Sequence, residues 1–265
     1  MRVRDDNSDH TLTADLTNLK DVTRVVRIVS PDVVLSCAGV VANDETAQLN
    51  TVFTENILEA VHVTGARARV IICGSAGVYG RVNEEDLPVS EETELGADSG
   101  YGLSKLQEEE RARELAATYS IPLVVARIFN PVGAGMHPRL LLPQLIGQIQ
   151  DILSDNRQAV EIGRLDACRD YVSVKDVATA LALLASSRPK YDTYNIGSGQ
   201  RTSNQQLVQL VVEALAPGQD ITVNELSEAA EPLVACQADI RRMKDEFGWG
   251  PSQTLEDTIK EIVYA

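Results

Sequence analysis

The sequence predicts an α/β protein built on a doubly wound parallel sheet, with a smaller α/β lobe towards its C-terminal end. Three observations carry that reading. Apolar runs such as Asp32–Cys37 (DVVLSC) and Arg67–Cys73 (RARVIIC) are continuous rather than alternating, the pattern of strands covered on both faces. Helical segments alternate with these runs over short connections. Beyond Asn130 the rhythm breaks at NPVGAGMHP, a Gly/Pro-rich loop that marks where a second lobe begins.

Taken in order, residues 1–11 are polar and without a clear period, and Thr11–Leu16 reads as a short strand ending at Asp15. Asn18–Val29 has the spacing of an amphipathic helix, stopped by Pro31. After the strand Asp32–Cys37 comes a helix over Ala47–Val63, with Gly65 as its C-terminal stop. The strand Arg67–Cys73, a helix from Tyr101 to about Tyr119 and the strand Ile121–Phe129 continue the alternation. Past the loop, Leu140–Leu153 reads as a helix and Val160–Ile162 as a strand. Asp170–Ala185 supplies a strand and helix expected to return to the main sheet. Tyr191–Ile196 and Ile221–Asn224 read as strands, and Ser203–Leu215, Asp239–Phe247 and Leu255–Val263 as helices. The expected division is a main domain of residues 1–130, joined by 170–195, and a substrate lobe within 131–265.

Composition narrows the function classes. Aromatics make up only 4% of 265 residues, so the core must be chiefly Val, Leu, Ile and Ala. A net charge of −15 without any basic run opposes binding to nucleic acid or to an anionic membrane. Cys37, Cys73, Cys168 and Cys236 are scattered, with no CxxC and no nearby histidine pair, so neither a metal site nor a disulfide framework is expected. Cys37 and Cys73 close apolar strands, where a buried thiol packs like a small hydrophobe. With no apolar run of spanning length and no charged-then-apolar leader, a soluble cytoplasmic protein is expected.

In open parallel sheets, ligands bind beyond the carboxyl ends of the strands. Ser36-Cys37-Ala38-Gly39, Gly74-Ser75 and Asn130 all fall at consecutive strand ends. Tyr101 and Lys105 lie four apart on the next helix and so share a face. A cation near a phenol favours the phenolate, which suits Tyr101 to proton transfer, with Ser75 hydrogen-bonding the oxygen whose proton moves. On the alternative reading Tyr101 merely packs at the helix start, Lys105 is solvated and Ser75 is a turn serine.

With GSAGVYG carrying Ser75 and YGLSK carrying Tyr101 and Lys105, the chain resembles the extended short-chain dehydrogenase/reductase family, also called the NAD-dependent epimerase/dehydratase family, whose sheet is Rossmann-like. PDVVLSCAG is similar to that family's strand beside the nicotinamide, and Asn50-x-x-x-Thr54-x-Asn56 to its next helix. The segments VSEETELGADSGYGLSK, ARIFNPVGAG, GRLDACRDYVSVKDV, YNIGSG and FGWGP resemble nucleotide-sugar members, in particular GDP-4-keto-6-deoxymannose reductases and GDP-mannose 4,6-dehydratases. The resemblance implies an NADP or NAD cofactor touched by Asp15, Cys37, Ala38, Gly39, Asn56, Tyr101 and Lys105. It implies a nucleotide-sugar substrate held by Ser75, Asn130 and Arg169, and a homodimer formed through helices 47–63 and 101–119. The alternatives for Asn130 and Arg169 are a turn-capping amide and an arginine paired with Asp166 or Asp170.

Three departures qualify those implications. The family's dehydratases carry a carboxylate two residues after the strand-end Ser/Thr, whereas Gly77 stands here, which favours reduction or epimerisation. The arginine that the family offers late in the chain for the diphosphate is missing from SEAAEPLVACQAD. No Gly-rich strand–turn–helix precedes Asp15, so roughly one βαβ unit of about 30 residues is lacking. Either the chain is a shortened version of such an enzyme, or its sheet has closed over the gap; in the second case cofactor affinity is expected to be poor. The leading expectation is an NAD(P)-dependent reductase or epimerase of a 4-keto nucleotide sugar. The rivals are a cofactor-free or weakly cofactor-binding descendant, acting as a ligand-binding module or a non-redox acid–base enzyme, and a purely structural subunit.

Overall fold

β1 (Arg2–Asp5) and β2 (Ser8–Thr13) pair antiparallel, with Val3 opposite Leu12, in a computed structural model that describes residues 2–5, 8–40, 47–226 and 237–264. This hairpin replaces the expected strand Thr11–Leu16. Cross-strand pairing is what stabilises such a short polar ribbon, and the sequence of one strand does not reveal it. Asp15 therefore lies beyond the strand, in the turn that enters α1 (Leu19–Val29). Asn18 caps α1 by accepting from the Lys20 N–H, and Ser30 ends it in the left-handed region just before Pro31.

Two compact units divide the chain. The first comprises residues 1–80, 94–128 and 181–194. Its sheet has the order β10-β5-β4-β3, from β3 (Val33–Ser36), β4 (Arg69–Ser75), β5 (Leu123–Ile128) and β10 (Thr193–Ile196), the last of which runs on into the second unit. β3, β4 and β5 are parallel, with Val34 opposite Val70 and Ile71 opposite Val124. Val34, Val70, Ile72 and Val125 enter one core with the inner faces of α1, α2 (Ala47–Thr64) and α3 (Gly100–Tyr119). Ile71 is equally buried yet lies outside that cluster, so β4 is covered on both faces, as its unbroken apolar run requires. Arg69 donates to the Leu184 and Ser187 carbonyls, tying down the C-terminal end of the helix Val174–Ser186. Among the described residues β3 is the end strand, and the β1–β2 hairpin is a sheet of its own. The hairpin therefore does not join that sheet.

The second unit holds residues 81–93, 129–180 and 195–265. β6 (Asn130–Val132) pairs with β9 (Tyr171–Ser173), and β7 (Val160–Ile162) with β12 (Val223–Glu225), both parallel. β8 (Cys168–Arg169) and β11 (Thr202–Ser203) are antiparallel. Tyr171–Ser173 was expected in the main sheet; it pairs instead with β6, anchored by the Asp170 carbonyl, which accepts from the Asn130 backbone N–H. Helices α4 (Leu141–Leu153), α6 (Asn204–Leu215) and α8 (Leu255–Tyr264) bury Leu142, Leu145, Ile149, Leu207, Val211 and Ile259 against β7. α5 (Val174–Ser186) begins in this unit and ends in the first, and α7 (Arg241–Phe247) precedes the Gly248–Pro251 turn. No described helix is long and apolar enough to cross a membrane.

Candidate active site

Strand β4 delivers Ser75 into a short 3-10 turn, Ala76–Tyr79, which Ser75 caps by accepting from the Gly77 N–H at 3.1 Å. That bond uses an oxygen lone pair and leaves the hydroxyl proton free to be donated. Helix α3 starts against this turn, its Ser99 cap accepting from the Gly102 N–H at 3.0 Å. The approach is so close that a β-carbon on Gly102 would lie 2.6 Å from the Gly77 carbonyl oxygen. A β-carbon on Gly77 would in turn stand 3.4 Å from Ser75 Oγ and 3.9 Å from the Tyr101 ring. Ser75 and Tyr101 therefore border one small space that glycine keeps open, and Tyr101 stays partly exposed beside it.

Lys105 is not the solvated lysine of the alternative reading. Its side chain is buried, and Nζ donates to the Cys73 carbonyl at 2.7 Å and to Glu108 Oε2 at 2.5 Å. The other Glu108 oxygen accepts from the Thr54 hydroxyl at 2.7 Å. Two of the three ammonium protons are thus committed, leaving one to donate elsewhere. One turn along, buried Glu109 accepts two bonds from Arg127 and two from Arg113. Burial alone would raise the Glu109 pKa, but the two guanidinium groups outweigh it and hold the carboxyl below its ordinary range. Arg127 also donates to the Tyr79 hydroxyl at 3.0 Å and stacks over that ring, so the Glu109–Arg127 pair braces the turn carrying Ser75.

The strand end Cys37–Gly39 is shaped from α2. Asn50, fully buried, accepts from the Val40 N–H at 2.9 Å and donates to the Val40 carbonyl at 3.1 Å. Ala38 packs on the core, while Cys37 is exposed rather than buried, with its sulfur 3.7 Å from that of Cys73. This corrects the expectation that both thiols pack as hydrophobes; β3 stops at Ser36, so Cys37 stands beyond the covered sheet. Asn56 donates to the Leu16 carbonyl at 2.8 Å and so fixes the segment that follows Asp15. Asp15 is exposed, and Thr17 engages one of its oxygens through both hydroxyl and N–H, which lowers its pKa.

In the second unit, Asn130 spends an amide N–H on the Asp170 carbonyl at 2.9 Å, a bond to the neighbouring strand rather than a turn cap. Arg169 lies 3.3 Å from Asn204 Oδ1, while Asp166 is taken by Arg164. Asp170 is buried and accepts from the N–H groups of Ser198, Gly199 and Ala238 and from the Ser198 hydroxyl. The motif residues around it thus clamp the YNIGSG loop. Residues 227–236, which include Cys236 and most of the stretch lacking an arginine, lie outside the described residues. Glu108, Glu109 and Arg127 were not singled out from sequence, and Asn50 and Thr54 entered only as members of a helix motif. The three consecutive glutamates at 108–110 look like a solvated acidic run, although the spacing Lys105–Glu108 is that of a helical ion pair.

A model of the NAD dependent epimerase/dehydratase family matches residues 2–197. The GDP-6-deoxy-D-mannose reductase of Pseudomonas aeruginosa is 30% identical over 250 residues, which cover 88% of this chain and 79% of that protein. The GDP-6-deoxy-D-talose 4-dehydrogenase of Aggregatibacter actinomycetemcomitans is 30% identical over 220 residues, covering 81% of this chain and 72% of that one. Among solved structures, RMD from Pseudomonas aeruginosa complexed with NADPH superposes with a TM-score of 0.86 at 26% identity, over 95% of this chain and 86% of the other.

Proposed function

The chain belongs to the NAD dependent epimerase/dehydratase family, and on that footing we propose that it is an NAD(P)-dependent reductase or epimerase of a 4-keto nucleotide sugar. The observation that carries the reading is the meeting of Ser75 and Tyr101 around Gly77, with Lys105 fixed beneath them on the Cys73 carbonyl. Ser75 donates its free hydroxyl proton to the sugar oxygen and orients the carbonyl. Tyr101 gives or takes the proton at that oxygen. Lys105, locked by Glu108, turns its remaining N–H to the nicotinamide ribose or to the phenol. Gly77 leaves room where a dehydratase would carry a carboxylate, which favours reduction or epimerisation. Asn130 and Arg169 are proposed to hold the substrate's phosphates, Asn130 through its side-chain oxygen.

The residues present suit the nicotinamide and ribose end of the cofactor: Cys37, Ala38 and Gly39 line the strand end that Asn50 shapes, and Lys105 retains a donor. Asp15 keeps one carboxylate oxygen for the adenosine side, on a segment that Asn56 fixes. Residues 2–5 and 8–13 pair as an antiparallel hairpin, and no phosphate-holding role is proposed for them. When bound, the cofactor supplies or accepts hydride at the sugar carbon. Binding of NADPH or NADH is part of the proposal. Calorimetry with both cofactors, paired with turnover of GDP- and dTDP-4-keto-6-deoxysugars, tests it; neither binding nor turnover would overturn it.

The meeting of Ser75 and Tyr101 also suits a second reading, a descendant that performs proton transfer without a nicotinamide. Proton exchange into a keto sugar in the absence of any dinucleotide would single it out. We further propose a cytoplasmic homodimer formed through α2 and α3, which light scattering would contradict by reporting a monomer.

A further inference from the structure

Cys37 directly follows β3 and Cys73 lies within the neighbouring parallel strand β4, each one residue beyond the pair Ser36–Ile72. Their sulfurs lie 3.7 Å apart, the Cys73 thiol donating to Cys37, and Cys37 is exposed. We propose that Cys37 and Cys73 form a reversible disulfide, which makes this strand end a peroxide-responsive modification site. Adjacent strands run about 4.8 Å apart, inside the roughly 4.4–6.8 Å separation of α-carbons that a disulfide bridges. Closing the bond to about 2.05 Å needs the sulfurs to approach by about 1.7 Å, within reach of side-chain rotation.

The two sulfurs divide the labour. The hydrogen bond from Cys73 brings the Cys37 pKa down to about 7, whereas Cys73, donating that bond and more deeply buried, is pushed up. Cys37 is therefore the nucleophile and Cys73 the resolving thiol. The Cys37 thiolate attacks hydrogen peroxide: an S–O bond forms, the O–O bond breaks and hydroxide departs, leaving a sulfenic acid. The Cys73 sulfur then attacks the Cys37 sulfur; the S–S bond forms, the S–O bond breaks, and the oxygen leaves as water with the Cys73 proton. In sum, two thiols lose two electrons and two protons, and one peroxide becomes two waters. The bond joins the strand end Cys37–Gly39 to the residue whose carbonyl anchors Lys105, so oxidation stiffens the floor of the proposed site.

The test is peptide mapping of the whole chain after brief exposure to hydrogen peroxide, alkylation of remaining thiols and tryptic digestion. Cys37 lies in peptide 28–67 and Cys73 in peptide 70–81, so the cross-link appears as these two joined with the loss of two hydrogens. Dithiothreitol should separate them. In Cys73→Ser, dimedone should trap a sulfenic acid on Cys37, and in Cys37→Ser no adduct should form on Cys73. About half of Cys37 is thiolate at pH 7, against roughly 3% for a free cysteine of pKa about 8.5. Lower intrinsic nucleophilicity returns about a factor of five, so its alkylation should run about threefold faster than that of free cysteine. Cys37 and Cys73 recovered unlinked from peroxide-treated protein, or joined to Cys168 as readily as to each other, would overturn the proposal.

Discussion

Replacing Glu108 with alanine tests the part of the site that the sequence disguised most. The side chains of Lys105 and Glu108 are only 4% and 3% exposed, and they meet at 2.5 Å. Glu108→Ala leaves the ammonium with the Cys73 carbonyl as its remaining described acceptor and strands the Thr54 hydroxyl. Breaking a buried pair from one side costs about 3–5 kcal/mol, because the surviving charge is left without compensation. Against a typical stability of about 5–15 kcal/mol, that is a large fraction. Urea unfolding followed by circular dichroism measures it, with Glu110→Ala, an exposed neighbour, as a control expected within about 0.5 kcal/mol of the parent. The double variant Lys105→Met/Glu108→Leu should recover most of the loss, since an apolar pair of similar size can replace a buried ion pair. If Glu108→Ala unfolds with the same midpoint as Glu110→Ala, the two groups do not form a buried pair.

Three further outcomes follow from the same geometry. Gly102→Ala drives a methyl to 2.6 Å from the Gly77 carbonyl; unfolding should show a loss of about 1–3 kcal/mol, and turnover should fall as Tyr101 moves away from Ser75. Glu109 titrates below its ordinary value of 4.5 when folded, so its stabilisation is present above about pH 4.5 and is lost as pH falls through the lower folded value. Glu109→Gln should therefore flatten the acid limb of the stability curve, by at most about 1.36 kcal/mol per pH unit, as read from unfolding midpoints across that range. Asn50→Ala removes both bonds to Val40 and should weaken NADPH binding severalfold by calorimetry, while an unchanged affinity would separate that loop from the cofactor.

Much of the main sheet was legible because its strands are buried on both faces and so spell continuous apolar runs: β3, β4 and β5 fall within a few residues of DVVLSC, RARVIIC and IPLVVARIF. Helix ends were legible where a cap or stop residue sits in the sequence, as with Asn18, Gly65 and Ser203. The hairpin at the start escaped because its partner strands support each other across space. The site divides in the same way. Ser75, Tyr101 and Lys105 announce themselves by residue type and spacing, but the groups that position them do not. Glu108, Glu109 and Arg127 look like ordinary surface charges until burial turns them into ion pairs. Cys37 and Cys73 stand 36 residues apart in the chain, and only the parallel register brings their sulfurs face to face. Asp170, inside the motif most specific to the family, serves the YNIGSG loop, a structural duty that the motif itself does not disclose.

Replacing Tyr101 with phenylalanine bears most directly on the proposed chemistry. Turnover of a 4-keto nucleotide sugar is followed through nicotinamide absorbance, and NADPH affinity is measured in parallel by calorimetry. Loss of the phenolic proton should lower kcat by about 10²–10⁴-fold, with NADPH affinity held within about twofold. An unchanged kcat in Tyr101→Phe, in an enzyme that reduces the sugar, would contradict the assignment of Tyr101 as the proton-transfer group.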